Sequence, residues 1–509
     1  MFESILFDRP GQGEQAQTAP PPYFADLRLS QVVEALTAGR EEYDLAPFFY
    51  APLDDPDAIA YRQEVFEDLQ SPALHASLGS FSEGMRAARE RIAQALGAVN
   101  ARQGARWFLD AAHAYCETAL SLAADSALAQ ARSRGLRGFR GYLASYVQAP
   151  AFCALREEVE RCEAAFSEIV YCVDLRGTRI TVSAFRSEPD LSASVRATFQ
   201  RFTRESAKDY LVGFPDHTSL NHVEEEVLER VARLYPEAFR AAEAFRERWQ
   251  GFLDETVRRF DREIQFYLAY SSYIDGLRAA GLPFCYPRVS PQCRETQVRG
   301  AFDLALGHAL SAEGRGVVRQ DLQLAGPERV LVVTGPNQGG KTTFARMFGQ
   351  LHHLARLGVP VPGTQAQLLL CDRIETHFAR EERLEDQQGR LKDELLRMRE
   401  ILSAITDRSV VVMNESFSST TLHDSRRIGA AVLQQLIERG ALGVYVTFVD
   451  ELAALSEATV SMVAGIAPGD LSGRTYTLAR RPADGRAYAL AIAERHGLTY
   501  DAVRRRIAR

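Results

Sequence analysis

Val330-Leu331-Val332-Val333-Thr334-Gly335-Pro336-Asn337-Gln338-Gly339-Gly340-Lys341-Thr342-Thr343-Phe344-Ala345-Arg346-Met347-Phe348 joins three kinds of local structure end to end. The first five residues are apolar and mostly β-branched, which suits a buried strand. Gly335 to Gly340 offers three glycines for a turn that must bring its backbone close to something. Lys341 onward reads as the start of a helix. A strand, a glycine-rich turn and a helix are the context in which G-x-x-x-x-G-K-[ST] acts as a phosphate loop. The backbone N–H groups of Gln338 to Lys341 would then face phosphate, aided by the positive end of the helix. Thr342 would offer its hydroxyl to Mg²⁺.

The lysine itself is informative. The chain has 60 basic residues, and only Lys208, Lys341 and Lys392 are lysines. A compact ammonium fits under a phosphate loop where a broad, planar guanidinium does not.

A second strand supports the same chemistry. Ser409-Val410-Val411-Val412-Met413-Asn414-Glu415 is an apolar run ending in two polar residues. In phosphate-loop enzymes such a tip reaches the metal and the attacking water. Asn414 can hold a metal only weakly, while Glu415 has the carboxylate needed to polarise water. The candidate site is therefore Gly335, Pro336, Asn337, Gln338, Gly339, Gly340, Lys341, Thr342 and Thr343 for ATP, Thr342 and Asn414 for Mg²⁺, and Glu415 with Asn414 for catalysis. Ser418 to Thr421 follows, with hydroxyls placed either to cap the next helix or to meet nucleotide across a dimer.

Working outward, short strand-like runs (296–305, 317–324, 367–371, 443–447) alternate with helices after residue 281, giving an α/β domain over 281–509. Residues 26–280 read as helical almost throughout. Apolar residues recur at three- and four-residue spacing in 80–99, 108–129 and 151–166, and the longest pattern runs from Val223 to Ala280 with Pro236 its one interruption. One break, a hairpin near 169–182 turning at Gly177, interrupts the helices. Residues 1–25, with Pro20-Pro21-Pro22, read as a flexible lead-in.

Composition narrows the class. Of 509 residues, 46% are hydrophobic and 25% charged, as in globular domains. No apolar run approaches the roughly 20 residues that span a bilayer, and the start carries no secretory pattern, so a cytoplasmic chain without a membrane partner is expected. Seven cysteines without C-x-x-C or zinc spacing are expected to be reduced thiols. A net charge of −7 argues against a protein that coats nucleic acid indiscriminately, though a local basic surface remains compatible with it.

Gly335, Pro336, Asn337, Gly340, Lys341, Thr342 and Thr343 together resemble the Gly-Pro-Asn-x-x-Gly-Lys-[Ser/Thr]-Thr loop of the MutS family of mismatch-repair ATPases. The likeness continues through Gly358 to Gly363, Asp372-Arg373-Ile374, Glu394, Asn414-Glu415, Ser419 to Thr421 and Gly485 to Ala493. It is weaker but collinear over about 25–280, including Tyr61 to Phe66. The resemblance implies an α/β P-loop (ABC-type) ATPase domain preceded by a mainly α-helical core or lever domain. It also implies ATP and Mg²⁺, a homodimer and DNA as partner.

The chain departs from the family at several points. Little sequence precedes the lever region for a mismatch-reading domain, and Phe81-Ser82-Glu83 lies inside a helical pattern. The family's γ-phosphate-reaching serine falls near Gly389, its Thr-His switch becomes Thr447-Phe448, and its Asp becomes Asn414. The expected function is a dimeric DNA-dependent ATPase acting on branched or otherwise non-mismatch DNA in repair or recombination. Arginines in 179–204 and 228–262 would meet the phosphates. The alternative is an ATP-gated clamp or scaffold that hydrolyses little and binds protein partners. A transporter ATPase is disfavoured, because Leu471-Ser472-Gly473 follows the Asn-Glu strand instead of preceding it.

Overall fold

The computed structural model describes residues 2–9, 11, 18–187, 198, 220–379, 389–467, 470–483 and 498–507. The chain forms two compact units, one of Met1–Phe2, Pro72–Ala131 and Arg137–Asp261, the other of Glu3–Ser71, Arg132–Leu136 and Arg262–Arg509.

The first unit is helical. Pro72–Gly97 and Ala101–Ala123 form an antiparallel pair, and Pro150–Ser167 and Pro236–Arg248 pack on the second of them. Its core is aromatic. Phe139 stacks on Phe260 with Phe81 edge-on, and Phe108 meets Phe245 and Phe252. Phe81 is thus a core residue. The hairpin pairs Tyr171–Arg176 with Arg179–Ala184, turning at Gly177, whose φ of 63° favours glycine. The pattern expected to run unbroken except at Pro236 is three helices, His222–Leu234, Pro236–Arg248 and Glu255–Ala279. Proline at 236 cannot donate to the preceding turn, and the stretch from Trp249 to Asp254 forms a second break.

The second unit is built on a six-stranded sheet. Its strands are β1 (Val330–Thr334), β2 (Ile374–Phe378), β3 (Val410–Asn414), β4 (Leu442–Val446), β5 (Thr459–Ala467) and β6 (Asp470–Arg480). They lie in the order β2-β3-β4-β1-β5-β6, parallel except for β6. Among the described residues, three helices cover the sheet: α1 (Lys341–Leu357), α2 (Arg390–Ala404) and α3 (Leu422–Arg439). Val330, Val332, Val411, Met413 and Tyr445 face Met398 and Leu402 of α2 and Leu433 and Leu436 of α3. The alternate residues Leu331, Val333, Val410 and Val412 are equally buried, and α1 packs against β3 and β4. Burial on both faces explains why these strands read as unbroken apolar runs. A smaller four-stranded sheet is formed by Arg288–Ser290, Gln365–Leu369, Thr296–Ala301 and Gln320–Leu324. The strand expected at 296–305 stops at Ala301, because Asp303 accepts from Leu306 N–H and starts the helix Leu304–Ala312.

The flexible lead-in expected over residues 1–25 does not hold for its described ends. Ile5 and Leu6 are fully buried, and Glu263 accepts from Ser4 Oγ and Ile5 N–H, both at 2.8 Å. Residues 3–71 belong to the same unit as the sheet, which divides the chain differently from the expected boundary at 280. The reason is α1, whose polar side chains reach into this segment. Arg346 donates to Asp26 O, Gln350 to Leu27 O and Arg356 to Leu53 O. His353 contacts Tyr23 Oη and Phe49 O, both at 3.1 Å.

Candidate functional site

The glycine-rich loop leaves the carboxyl end of β1 and closes at the start of α1. Its shape depends on backbone that only some residues adopt. Gly335 has φ 113°, Gln338 φ 59° and Gly340 φ 90°. A Cβ on Gly339 would lie 2.9 Å from Ala464 Cβ, and one on Gly335 would lie 3.1 Å from the Ala464 nitrogen. β5 therefore presses the loop closely enough to require glycine at both places.

Lys341 lies within this loop, 4% exposed. Its Nζ donates to Gly335 O at 2.9 Å, Pro336 O at 3.0 Å and Asn337 Oδ1 at 3.3 Å. The Phe448 ring stands 5.1 Å away. Burial pulls the ammonium below its usual pKa, Glu415 acts to raise it, and Arg474 lowers it further. Arg474 also donates from Nε to Asn337 O at 3.1 Å. Thr342 and Thr343 follow in the first turn of α1, partly buried.

Strand order brings the second half of the site alongside. β4 lies between β1 and β3; Thr447 N–H donates to Val333 O at 3.1 Å and Glu415 N–H to Val446 O at 2.9 Å. Asn414 ends β3, nearly buried, and its Oδ1 has no hydrogen-bond partner. Glu415 at φ 53° and Phe417 at φ 62° are non-glycine residues in left-handed backbone. Such strain persists only where surrounding contacts hold it. Here His377 Nδ1 meets Ser416 Oγ at 2.7 Å, Ser416 Oγ donates to His377 O, and Glu394 Oε2 accepts from Phe417 N–H at 2.9 Å. The sequence reading picked out Glu394 by resemblance and missed His377 and Ser416. Nothing in residue spacing links a histidine on β2 to a turn after β3.

Sequence reasoning also missed a cavity of about 270 Å³ beside the loop. Phe302, Val317, Val318, Gly340, Phe344 and Tyr476 are among its lining residues. Gln320 fixes the far wall by donating to Tyr476 O at 2.6 Å and accepting from Leu478 N–H at 2.9 Å. Asp303, Arg315, Gln320 and Thr343 add polar groups to an otherwise largely apolar lining, and Gly340 and Thr343 bring it to the start of α1.

Residues 331–503 match the family model described as MutS domain V. Over these residues the chain is similar to the MutS family. It is 31% identical over 190 residues to the endonuclease MutS2 of Thermus thermophilus, an overlap of 37% of this chain and 25% of that protein. It is 33% identical over 189 residues to the endonuclease MutS2 of Gemmatimonas aurantiaca, 36% of this chain and 23% of that one. With the DNA mismatch repair protein MutS of Erythrobacter litoralis it shares 30% identity over 234 residues, covering 45% and 26% of the two chains. The chain thus spans about a quarter of the length of these curated relatives.

Domain V puts the remaining sequence-derived residues in context. Gly389, at φ 82°, stands before α2 with open space around it. Thr421 caps α3, its Oγ1 accepting from Asp424 N–H at 3.2 Å. The expected likeness over 485–493 lies outside the described residues. So do Arg196, Arg201 and Arg204 of the expected phosphate-facing arginines. Of the rest, Arg230 pairs with Glu226, Arg248 with Glu158, Arg258 with Glu255 and Arg262 with Asp44. His222–Leu234 carries Glu224, Glu225, Glu226 and Glu229 against Arg230 and Arg233, so it is no basic stripe. Among the described residues no helix is long and apolar enough to cross a membrane, and no cluster of three His, Cys, Asp or Glu side chains is disposed to hold a metal.

Proposed function

We propose that this protein binds ATP at Gly335 to Thr343 and hydrolyses it slowly, as a dimer that engages DNA in repair or recombination. The observation that carries this reading is the loop wrapped around Lys341 at the carboxyl end of β1, with Asn414 and Glu415 at the tip of β3, across the intervening β4. Loop N–H groups and the amino end of α1 give phosphate a positive cradle. The base of the nucleotide fits the cavity walled by Val317, Val318 and Tyr476. Glu415 accepts a proton from the attacking water, and its backbone, held through Ser416 and Phe417 by His377 and Glu394, aims the carboxylate.

The unpartnered Oδ1 of Asn414 and the hydroxyl of Thr342 fit a Mg²⁺ that takes most of its other ligands from phosphate and water. When bound, that ion neutralises charge on the phosphate oxygens. A neutral amide holds it less firmly than a carboxylate, which supports slow turnover.

DNA enters the proposal from the names of the MutS relatives. A structure other than a mismatch is proposed as the substrate. Because four of the candidate arginines already face carboxylates, the contact surface must draw on others. A gel-shift series of duplex, mismatch, flap and junction substrates tests this, and affinity should fall steeply with salt through counterion release.

A second reading, an ATP-gated clamp with little hydrolysis, is favoured by Asn414 and by the Phe448 ring over Lys341. Turnover by the wild type and by Glu415→Gln separates the two. A drop of about a hundredfold or more supports hydrolysis through Glu415. An unchanged, already low rate favours the clamp.

A further inference from the structure

The ammonium of Lys341 is closed off on every side. Its three N–H bonds are matched by three acceptors of its own loop, at 2.9, 3.0 and 3.3 Å. Its remaining face meets the ring of Phe448 at 5.1 Å. The two residues differ sharply in exposure, Lys341 at 4% and Phe448 at 48%. The ring is therefore a partly solvated lid over a buried cation, held by attraction to the ring's negative face.

The backbone beneath the lid is pinned. Thr447 N–H donates to Val333 O at 3.1 Å, and Thr447 Oγ1 accepts from Val449 N–H at 3.1 Å. Thr447 and Val449 are both buried. Only the side chain of Phe448 is left to move. A phosphate oxygen that reaches Lys341 Nζ must take over at least one loop hydrogen bond and must displace the ring or slip beside it.

We infer that Phe448 is a positioning residue that gates Lys341: its ring holds the ammonium in a self-satisfied state, competes with incoming phosphate, and swings outward when nucleotide binds. This rests on the reading of 335–343 as the phosphate site. The gate acts before any chemistry, so it slows loading of the site whatever the fate of the phosphate.

The test is stopped-flow binding of N-methylanthraniloyl-ATP to the full chain, as wild type, Phe448→Ala, Phe448→Leu and Phe448→Tyr. Removing the ring should raise the association rate and the affinity about three- to tenfold, the range expected for loss of a partly desolvated cation–π contact. Tyrosine, which keeps the aromatic face, should behave like the wild type, and leucine should fall between. A merely structural role for Phe448 predicts the opposite sign, weaker binding on truncation. Unchanged or weaker binding by Phe448→Ala overturns the gate. Should that variant fail to fold, Phe448→Leu decides: faster loading than wild type supports the gate, equal or slower loading overturns it. Absence of nucleotide binding by the wild type and every variant instead overturns the phosphate-site reading beneath it.

Discussion

Arg62 donates from Nη1 to the carbonyl of Leu357, the last residue of α1, at 3.0 Å, and from Nε to Leu6 O at 2.9 Å. The guanidinium is fully buried and lies over the rings of Phe7 and Phe266. It faces carbonyls and rings in place of a paired carboxylate, and burial pushes its pKa down to about 10. It ties the far end of the helix that starts at Lys341 to the amino-terminal segment.

Arg62→Met should destabilise the protein by about 2–4 kcal/mol, because two buried carbonyls lose their donors. Arg62→Lys should recover little, since one ammonium cannot span both carbonyls while stacking on two rings. Urea unfolding of the two variants measures this.

Stability should fall below pH 6.5 because of two histidines on α1. Burial holds His352 down to about 4, and burial with Arg356 nearby holds His353 down to about 3. Between these values and the usual 6.5 the unfolded chain binds protons that the folded chain does not. The stabilisation is therefore complete above pH 6.5 and is lost as pH falls toward 4 and then 3. Each histidine contributes a slope of up to about 1.4 kcal/mol per pH unit. Urea midpoints from pH 7.5 to 4.5 should show the decline, and His352→Phe should flatten it.

His377→Ala should leave nucleotide affinity near the wild-type value and lower kcat about ten- to a hundredfold, because Ser416 loses the imidazole and keeps only the main-chain carbonyl of residue 377, which loosens the aim of the Glu415 carboxylate. A steady-state series in ATP separates the two effects. An equal loss in affinity would mean that the histidine supports the whole sheet edge.

Asn414→Asp should lower the Mg²⁺ concentration needed for half-maximal turnover about tenfold, since a charged oxygen replaces the neutral, unpartnered Oδ1. Magnesium titration of ATP turnover checks it.

The strand, loop and helix around Lys341 were legible because each has a local signature: β-branched residues, glycines at left-handed positions and a helical start. β1 was placed at Val330–Thr334 from the sequence and is found there. What was not legible lies in contacts between distant segments. Arg346, Gln350 and Arg356 bind main-chain carbonyls of residues 26, 27 and 53, and a carbonyl leaves no mark on residue type. The position of Phe448 over Lys341 follows from β4 lying next to β1, a strand order that local periodicity does not carry. Tyr476 joins the cavity wall at φ 58°, a conformation no spacing rule assigns to tyrosine.

The central claim is that Lys341 holds the phosphates of ATP, and equilibrium binding of N-methylanthraniloyl-ATP to wild type and Lys341→Ala measures it directly. The wild type should bind saturably, and the alanine variant should lose at least about a hundredfold in affinity while keeping its thermal midpoint within a few degrees. Equal affinity in the two proteins would contradict the assignment of this loop as the nucleotide site.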